Sequence, residues 1–382
     1  MRIANVRIVR YTGRLDREVG LTPLSMDPRP ERRLKGARHS DKRLILETDA
    51  GISGMAPHVH DRTVEALKNG LSEWLVGRDP MAVERNWVEL CSELDNRAAP
   101  RDGAIISPID WAMWDIRAKA MGVPAHAALG GPGRDRIRTY GSTSGIPSAR
   151  SGDLAQVCDF AVQIKELGFF AQKWFLRYGP DDGEEPKRIM TNMVRMLRET
   201  LGDDAILMLD VVCKWDLPYA IDMCRRLAEY KPYWLEDPMP PDPSDDWARL
   251  RDATDIPLAG CDRLPDRWAF REFLERDLVE FVQPDEYNVK GLTEMSKVVT
   301  LASAWRKTIA PHCGYPATQH VLAAVPPPMD PWYEYLVNWN EYGQWFFKQR
   351  NVPKNGYLPV PPGPGLGVEV DMDRVDEVSE LL

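Results

Sequence analysis

Three short apolar runs follow one another through the middle of the chain: AILMLDV (205–211), YWLED (233–237) and PLAGCD (257–262). Each has the length and composition of a buried strand, and each contains a carboxylate at or near its end. Amphipathic stretches such as RIMTNMVRMLRETLG (188–202) separate most runs of this kind and predict helices. Parallel strands joined by helices present their carboxyl ends at one edge of a sheet, so we expect the three acids to lie close together.

Five further runs of the same kind flank these three: IRTYGS (137–142), FFAQKWF (169–175), LVEFVQPD (278–285), TIAPHC (308–313) and YEYLVNW (333–339). Eight strand–helix units predict a parallel sheet closed into a barrel. The segment AAVPPPMDP (323–331) is rich in proline, which interrupts helices. The last outer helix is therefore expected to be short or missing.

The first part of the chain has a different pattern. Residues 1–130 contain two strand-like stretches, ANVRIVRY (4–11) and KRLILETDAG (42–51), followed by segments with helical spacing. The strongest helix is expected to begin with Ser107 as its N-cap and Pro108 in its first turn. This region is predicted to be an α+β domain.

The remaining boundaries follow from composition. Residues 131–351 contain the eight runs and are assigned to the barrel. The tail, 352–382, is rich in proline and glycine and is expected to return to the first domain. Residues 14–43 are basic and irregular, and they are interpreted as either a solvated loop or a lid.

Composition excludes several classes of protein. The net charge of -9 over 382 residues disfavours binding to nucleic acid. The six cysteines form no C-x-x-C pair, which disfavours a zinc site or a disulfide framework and favours the reducing cytoplasm. No run reaches the roughly 18 apolar residues that a membrane span requires, so no membrane partner is expected.

Polar side chains recur within or just after the apolar runs, 22 to 37 residues apart: Lys173, Asp210, Glu236, Asp262, Asp285, His312 and Glu334. In a barrel of this kind all seven would gather at the mouth formed by the carboxyl ends of the strands. Asp210, Glu236 and Asp262 would repel one another unless a cation neutralised them. Ligands that offer only oxygen favour Mg²⁺. The alternative is that each acid merely caps a neighbouring helix.

Asp285 and His312 end neighbouring runs. The carboxylate could hold one imidazole nitrogen and leave the other free to accept a proton, although a histidine in this position is often purely structural. Lys173 could neutralise a substrate oxygen, or its ammonium could instead extend toward solvent. Glu334 could be a buried acid that donates a proton or a hydrogen bond. His312 is therefore a candidate base.

These motifs, together with SPIDWAMWDIRAKAMGVPAHAALGG (107–131), FVQPD (281–285) with GLTE (291–294), and APH (310–312), resemble the mandelate racemase subgroup of the enolase superfamily. Within that subgroup the chain looks like the L-rhamnonate dehydratases. The resemblance implies an α/β fold, a modified TIM barrel (β/α)7β with an α+β capping domain formed by the N-terminal segment and the C-terminal tail. It also implies a homo-oligomer and a small acid-sugar substrate.

The resemblance further implies that Asp210, Glu236 and Asp262 bind Mg²⁺. His312, oriented by Asp285, would remove the proton next to the substrate carboxylate. Lys173 and Glu334 would then help stabilise the enediolate that results. Loss of the β-hydroxyl would give a 2-keto-3-deoxy acid, so the implied enzyme is a hydro-lyase.

The sequence departs from the subgroup at three positions. Racemases carry a second lysine two residues beyond the first, where this chain has Phe175, which favours dehydration by one base. The segment RYGPDDGEE (177–185) resembles the rhamnonate dehydratases. Asp262 replaces the usual glutamate, which leaves metal affinity in question, and Arg263 stands where the family often has histidine.

Two alternatives stay open. One is another enediolate reaction, such as epimerisation, racemisation or cycloisomerisation. The other is a non-catalytic relative that binds a sugar acid, an idea motivated by Asp262 and Arg263. Four residues are candidates for substrate recognition: Arg263, Arg38, His39 and His58.

Overall fold

A computed structural model describes residues 1–17, 35–96, 102–144 and 154–382 of the chain. Its strands are β1 (Ile3–Arg14), β2 (Arg38–Thr48), β3 (Ser53–Ala56), β4 (Arg136–Ser142), β5 (Ala171–Phe175), β6 (Ile206–Asp210), β7 (Trp234–Glu236), β8 (Leu258–Gly260), β9 (Phe281–Val282), β10 (Thr308–Ile309), β11 (Trp332–Leu336), β12 (Tyr357–Pro359) and β13 (Glu377–Glu380). They form one antiparallel sheet and one mainly parallel sheet.

The α-helices are α1 (Asp61–Ala66), α2 (Ser72–Leu75), α3 (Val83–Asn96), α4 (Gly103–Ala120), α5 (Ala125–Ala128), α6 (Leu154–Glu166), α7 (Glu184–Leu201), α8 (Leu217–Leu227), α9 (Ser244–Ala253), α10 (Arg267–Glu275), α11 (Leu292–Ala304), α12 (Pro316–Ala324) and α13 (Asn340–Gly343). Within the described ranges, none of these helices is both long enough and apolar enough to cross a bilayer.

All eight predicted barrel strands are present. They are parallel neighbours in the order β10, β9, β8, β7, β6, β5, β4 and β11, which makes a nearly closed barrel. Helices follow the strands, and the one between β10 and β11, α12, has only nine residues, in agreement with its proline-rich flank. The predicted modified TIM barrel is confirmed.

The inside of the barrel is filled by one side chain from each strand region: Tyr140, Ala171, Met208, Trp234, Ala259, Phe281, Ala310 and Trp332. Side chains alternate between the two faces of a strand, so the residue two positions later also points inward, one layer nearer the carboxyl end. This layer of side chains therefore determines which residues reach the mouth.

The antiparallel sheet has the strand order β13, β1, β2 and β3 and forms the capping domain. Its edge strand β13 is the end of the tail, and Val9 of β1 lies opposite Glu380. The tail first adds β12 beside barrel strand β4, with Tyr357 opposite Arg138. The expected return of the tail thus begins on the barrel and finishes on the capping sheet.

The predicted start of helix α4 is wrong. The helix begins at Gly103, and the Asp102 side chain caps it by accepting the N–H of Ala104 at 2.8 Å. Pro108 lies inside the helix and cannot donate to the carbonyl of Ala104. The Thr63 hydroxyl donates to that carbonyl instead. This tertiary contact replaces the missing backbone hydrogen bond, so the helix can begin before Pro108.

The segment predicted to be an irregular loop is also partly regular. Arg38–Arg43 belong to β2, where they pair with β1. Residues 18–34, which were also interpreted as part of a solvated loop or a lid, lie outside the described residues.

Candidate active site

The inward layer at the barrel mouth contains several charged side chains. Lys173 follows Ala171 by two residues on β5, Asp210 follows Met208 on β6, and Glu236 follows Trp234 on β7. Alternation along each strand therefore directs all three into the mouth. The same spacing places Glu334 on β11, two residues after the inward Trp332.

Lys173 lies among the three acids, and these four residues are called the barrel centre. Its Nζ is 3.1 Å from Asp210 Oδ2 and 2.8 Å from Glu334 Oε1, and it also contacts Glu236 Oε1. Its side chain is fully buried. Glu236 is fixed further, because its Oε2 accepts hydrogen bonds from Trp234 Nε1 at 3.0 Å and Gln283 Nε2 at 2.7 Å.

The electrostatics of the barrel centre show a surplus of negative charge. Burial disfavours the Lys173 ammonium, but the charges of Glu236 and Glu334 outweigh that effect and raise its pKa well above the usual value. Burial and the negative charge of Asp210 raise the pKa of Glu236 well above its ordinary range. One ammonium therefore does not neutralise the three acids.

Asp262, the third predicted metal ligand, follows the end of β8. The chain bends after β8, since Cys261 has a φ of 84°. Asp262 Oδ1 is 3.6 Å from Arg263 Nε, is buried, and has no hydrogen-bond partner in the described part of the chain. Burial and the negative charge of Asp262 raise the pKa of Asp237 well above its usual value.

This set of donors fits a hard divalent cation. All the groups are carboxylates, they exceed the available positive charge, and one buried oxygen of Asp262 accepts no hydrogen bond from the described residues. The structure brings Asp210 and Glu236 together around Lys173 and leaves Asp262 outside that contact. Mg²⁺ would be held by Asp210 and Glu236, with Asp262 as the third carboxylate.

The predicted His312–Asp285 pair is present. His312 Nδ1 is 2.9 Å from Asp285 Oδ2, and the two residues are bridged in parallel at the ends of β10 and β9. Asp285 Oδ1 accepts the backbone N–H groups of Tyr287 and Asn288, both at 2.9 Å. These bonds fix the carboxylate, which in turn orients the imidazole.

The second nitrogen of His312 faces a thiol. Nε2 lies 3.6 Å from Cys313 Sγ, and the Cys313 N–H donates to Glu334 Oε2 at 2.7 Å. Burial disfavours the charged imidazole, but Cys313 and Asp285 raise the pKa of His312 well above its usual value. The imidazole is therefore linked through Cys313 to the barrel centre.

Asp285, His312 and Cys313 each place one potential metal-ligand atom within 4.8 Å of the other two. They are the one group of three such residues found in the described part of the chain. Asp210, Glu236 and Asp262 do not form such a group there. The close approach of Asp285 to His312 is that of their hydrogen bond.

A cavity of about 470 Å³ lies between the capping domain and the barrel. Cys313, adjacent to His312, lines it from the barrel side. His39 and His58, two of the candidates for substrate recognition, line it from the capping side. The volume is within the range of sites for small ligands.

Models of two families match the chain. The family described as "Mandelate racemase / muconate lactonizing enzyme, N-terminal domain" matches residues 30–130, and "Enolase C-terminal domain-like" matches residues 156–374. A D-galactonate dehydratase from Ralstonia nicotianae is 31% identical over 350 residues, which cover 88% of this chain and 90% of that protein. The chain belongs to the mandelate racemase / muconate lactonizing enzyme family of the enolase superfamily.

Two further relatives of this family member carry different names. A D-galactarolactone cycloisomerase from Agrobacterium fabrum is 30% identical over 348 residues, covering 87% of this chain and 89% of that protein. The crystal structure of L-talarate dehydratase from Polaromonas sp. JS666, complexed with Mg and L-glucarate, has a TM-score of 0.77 and 25% identity, and the match covers 98% of each chain.

Two of the predicted recognition residues of this family member lie elsewhere. Arg38 is largely exposed and pairs with Glu377 of the tail at 2.8 Å. Arg263 is half exposed beside Asp262. Neither is among the described residues that line the cavity. The guanidinium groups of both residues pair with carboxylates of the protein.

Several functional positions were missed from the sequence. Gln283, which donates to Glu236, occupies the inward position between Phe281 and Asp285, so strand alternation could have found it. Asp41 lies between His39 and Arg43 on one face of β2. The alternation H-x-D-x-R is typical of one face of a strand, but its charges had suggested a solvated loop.

Proposed function

We propose that this family member is a Mg²⁺-dependent dehydratase that acts on a sugar acid. The observation that carries the proposal is the 2.9 Å contact between His312 and Asp285 beside a buried lysine surrounded by three carboxylates. An oriented base next to a site for negative charge suits removal of a proton next to a carboxylate. Mg²⁺, when bound, would neutralise the charge that develops on the carboxylate oxygens.

His312 acts as the base in this proposal. Asp285 accepts the Nδ1–H bond, so Nε2, which contacts the Cys313 thiol, is the nitrogen that takes the proton from the carbon next to the substrate carboxylate. The Lys173 ammonium stabilises negative charge on the substrate, and Glu334 fixes Lys173 and the Cys313 backbone. Loss of the β-hydroxyl then gives an enol, which becomes a 2-keto-3-deoxy acid.

Phe175, at the position where racemases carry a second lysine, supports a reaction that uses one base. Phe175 occupies the next inward position after Lys173, and its ring centre is 5.6 Å from Lys173 Nζ. A phenyl ring cannot exchange a proton at the opposite face of the substrate. Elimination is therefore favoured over racemisation.

The names of the relatives support the same class of reaction. One is a D-galactonate dehydratase and another is an L-talarate dehydratase bound to Mg and L-glucarate. A rhamnonate-like acid was the substrate indicated by the sequence, and it belongs in the same test. The cytoplasmic location and the homo-oligomer remain predictions.

A second candidate is cycloisomerisation of a sugar lactone. It is favoured by the 30% identity to a D-galactarolactone cycloisomerase. Removal of the α-proton of a lactone acid and breakage of the β C–O bond of its ring would open the ring to the same kind of 2-keto-3-deoxy acid without loss of water, so the two candidates differ in the substrate that they consume.

The test is a screen of the purified protein with Mg²⁺ against L-rhamnonate, D-galactonate, galactarate, L-talarate and D-galactarolactone. Semicarbazide detects 2-keto-3-deoxy products by absorbance, and NMR shows whether an open-chain acid or the lactone is consumed. We expect a semicarbazide-positive product from at least one open-chain acid. His312→Asn should lower its rate by at least about 10³-fold, as loss of a general base does.

Other outcomes separate the alternatives. Consumption of D-galactarolactone alone, with no turnover of any open-chain acid, would replace the dehydratase with a cycloisomerase. No product from any acid, together with no Mg²⁺ binding by calorimetry, would support the non-catalytic relative. Full activity of His312→Asn would contradict the assigned base.

A further inference from the structure

A second histidine–aspartate pair lies on the capping side of the cavity. His58 Nδ1 is 3.2 Å from Asp41 Oδ1, and the His58 N–H donates to the same oxygen at 3.1 Å. Arg43 Nε donates to the other oxygen, Asp41 Oδ2, at 3.0 Å. The side chains of Asp41 and Arg43 are buried, with exposed fractions of 4% and 0%. We call Asp41, Arg43 and His58 the capping triad.

The capping triad directs one imidazole nitrogen into the cavity. Since Nδ1 faces Asp41, Nε2 points away from the carboxylate, and His58 lines the cavity with 26% of its side chain exposed. Gly343 lies beside this edge, where an added Cβ would be 3.7 Å from His58 Nε2. A glycine at 343 therefore keeps the edge open.

The backbone of His58 is held in an unusual conformation. Its φ is 57°, in the left-handed region that non-glycine residues seldom occupy. Its N–H bonds to Asp41, and its carbonyl accepts the hydroxyl of Tyr287 at 2.9 Å. Surroundings that hold such a conformation are typical of positions with a functional role.

Tyr287 connects the two histidine–aspartate pairs. Its N–H donates to Asp285 Oδ1 at 2.9 Å, and its hydroxyl reaches the carbonyl of His58. The cavity is lined by His58 on one side and by Cys313, the neighbour of His312, on the other. A small acid in this cavity would therefore contact His58 directly and would reach His312 past the Cys313 thiol, which lies 3.6 Å from His312 Nε2.

We propose that His58 is the catalytic acid of the dehydration, and that its Nε2–H protonates the departing β-hydroxyl while His312 removes the α-proton. This inference rests on the proposed function. The C–H bond breaks toward His312, its electron pair forms the C=C bond, and the C–O bond breaks. The leaving oxygen takes the proton of His58 and departs as water. The enol tautomerises to the keto acid, His312 releases its proton, and His58 regains one from solvent.

The other histidines of the cavity are less suited to this role. His39 packs against Tyr342 and Phe346 with ring centroids 4.0 and 5.1 Å away, and neither ring nitrogen has a hydrogen-bond partner in the described structure. Burial lowers the pKa of His39 to about 4, so it is neutral near pH 7. His60 has no carboxylate within ion-pair distance among the described residues.

The test separates proton removal from loss of the hydroxyl. The substrate is the acid of the screening panel that is turned over fastest, and the second probe is its 3-deoxy-3-fluoro analogue. In D2O, NMR follows exchange of the α-hydrogen and formation of product. Fluoride leaves without a proton, so its loss does not require an acid.

For His58→Asn and His58→Gln we expect dehydration to fall by about 10²-fold or more, while α-hydrogen exchange and fluoride loss stay within about fivefold of the wild type. His312→Asn should lose all three reactions. His60→Asn is the matched control, since this histidine lines the same cavity, and it should change dehydration and exchange by the same factor.

Three results would overturn the inference. Equal loss of exchange, fluoride release and dehydration in both His58 variants would assign His58 to binding or folding only. Dehydration at the wild-type rate would remove it from the mechanism. An inactive wild-type protein on every acid would instead overturn the proposed function, and the His58 assignment with it.

Discussion

The barrel centre and the capping triad carry opposite arrangements of charge. In the barrel centre one cation, Lys173, lies among three carboxylates. In the capping triad one anion, Asp41, lies between Arg43 and His58. Burial raises the pKa of Asp41, but its cationic neighbours outweigh that effect and hold it well below the usual value. The pKa of Glu236 is shifted upward instead.

The two regions differ in whether their charges are balanced without a bound cation. The capping triad balances its charges internally, so its main effect is to orient His58. The barrel centre has more acid than its single ammonium can neutralise, so an added cation should stabilise it. Removing the central ion from each region should therefore have different consequences in the presence of Mg²⁺.

The largest effect is expected for Lys173→Met. Three buried carboxylates would lose their common partner, and the free energy of unfolding without metal should fall by about 3–5 kcal/mol. Urea denaturation measures this fall, and saturating Mg²⁺ should recover part of it. Lys187→Met, which removes a lysine that pairs with Asp222 near the surface, should cost less than about 1 kcal/mol.

A loss of stability that Mg²⁺ does not recover at all would break the proposed distinction. It would mean that the cation requirement of the barrel centre is met by Lys173 alone.

A smaller effect is expected for Asp41→Asn. The guanidinium of Arg43 would remain buried without its counter-charge, although the amide can still accept one hydrogen bond. The free energy of unfolding should fall by about 2–3 kcal/mol. Urea denaturation with and without Mg²⁺ should give the same difference from wild type. A difference that depended on Mg²⁺ would show that the two regions are coupled.

The smallest effect concerns a third buried acid, Asp110 of helix α4, which accepts the N–H of Thr293 at 3.0 Å. Burial raises its pKa from 3.8 to about 7. Because the folded-state pKa is the higher one, the stabilisation is complete below about pH 4 and is lost as the pH rises through about 7.

Asp110→Asn should remove this part of the pH dependence. Urea denaturation at pH 5 and pH 7.5 should show that wild type loses more stability than the variant over this interval, by roughly 2 kcal/mol. Asp246→Asn, at the start of helix α9, is the control and should follow wild type. Parallel behaviour of wild type and Asp110→Asn would show that Asp110 does not titrate there.

The sequence predicted the barrel well because two signals coincided. Each strand is a short apolar run, and an inward polar residue follows at a spacing of two, as with Met208 and Asp210. Alternation along a strand fixes the direction of a side chain without knowledge of its neighbours. The strands and most residues of the barrel centre could therefore be assigned from the sequence.

Positions that depend on bends and tertiary partners could not be assigned in the same way. The left-handed residue Cys261 turns the chain after β8, so spacing alone did not show where Asp262 would lie. Charges in Arg38–Arg43 looked solvated, yet Asp41 and Arg43 are buried because each neutralises the other. Arg43 also donates to the carbonyl of Val368, a partner distant in the sequence that no local pattern reveals.

The most direct test of the account is calorimetric titration of the metal-free protein with Mg²⁺, paired with the same titration of Glu236→Gln. We predict one site per chain, bound more tightly than about 1 mM, with a metal-dependent rise in Tm, and loss of both in the variant. No binding by the wild type, or equal binding by Glu236→Gln, would contradict the claim that the carboxylates of the barrel centre form the metal site.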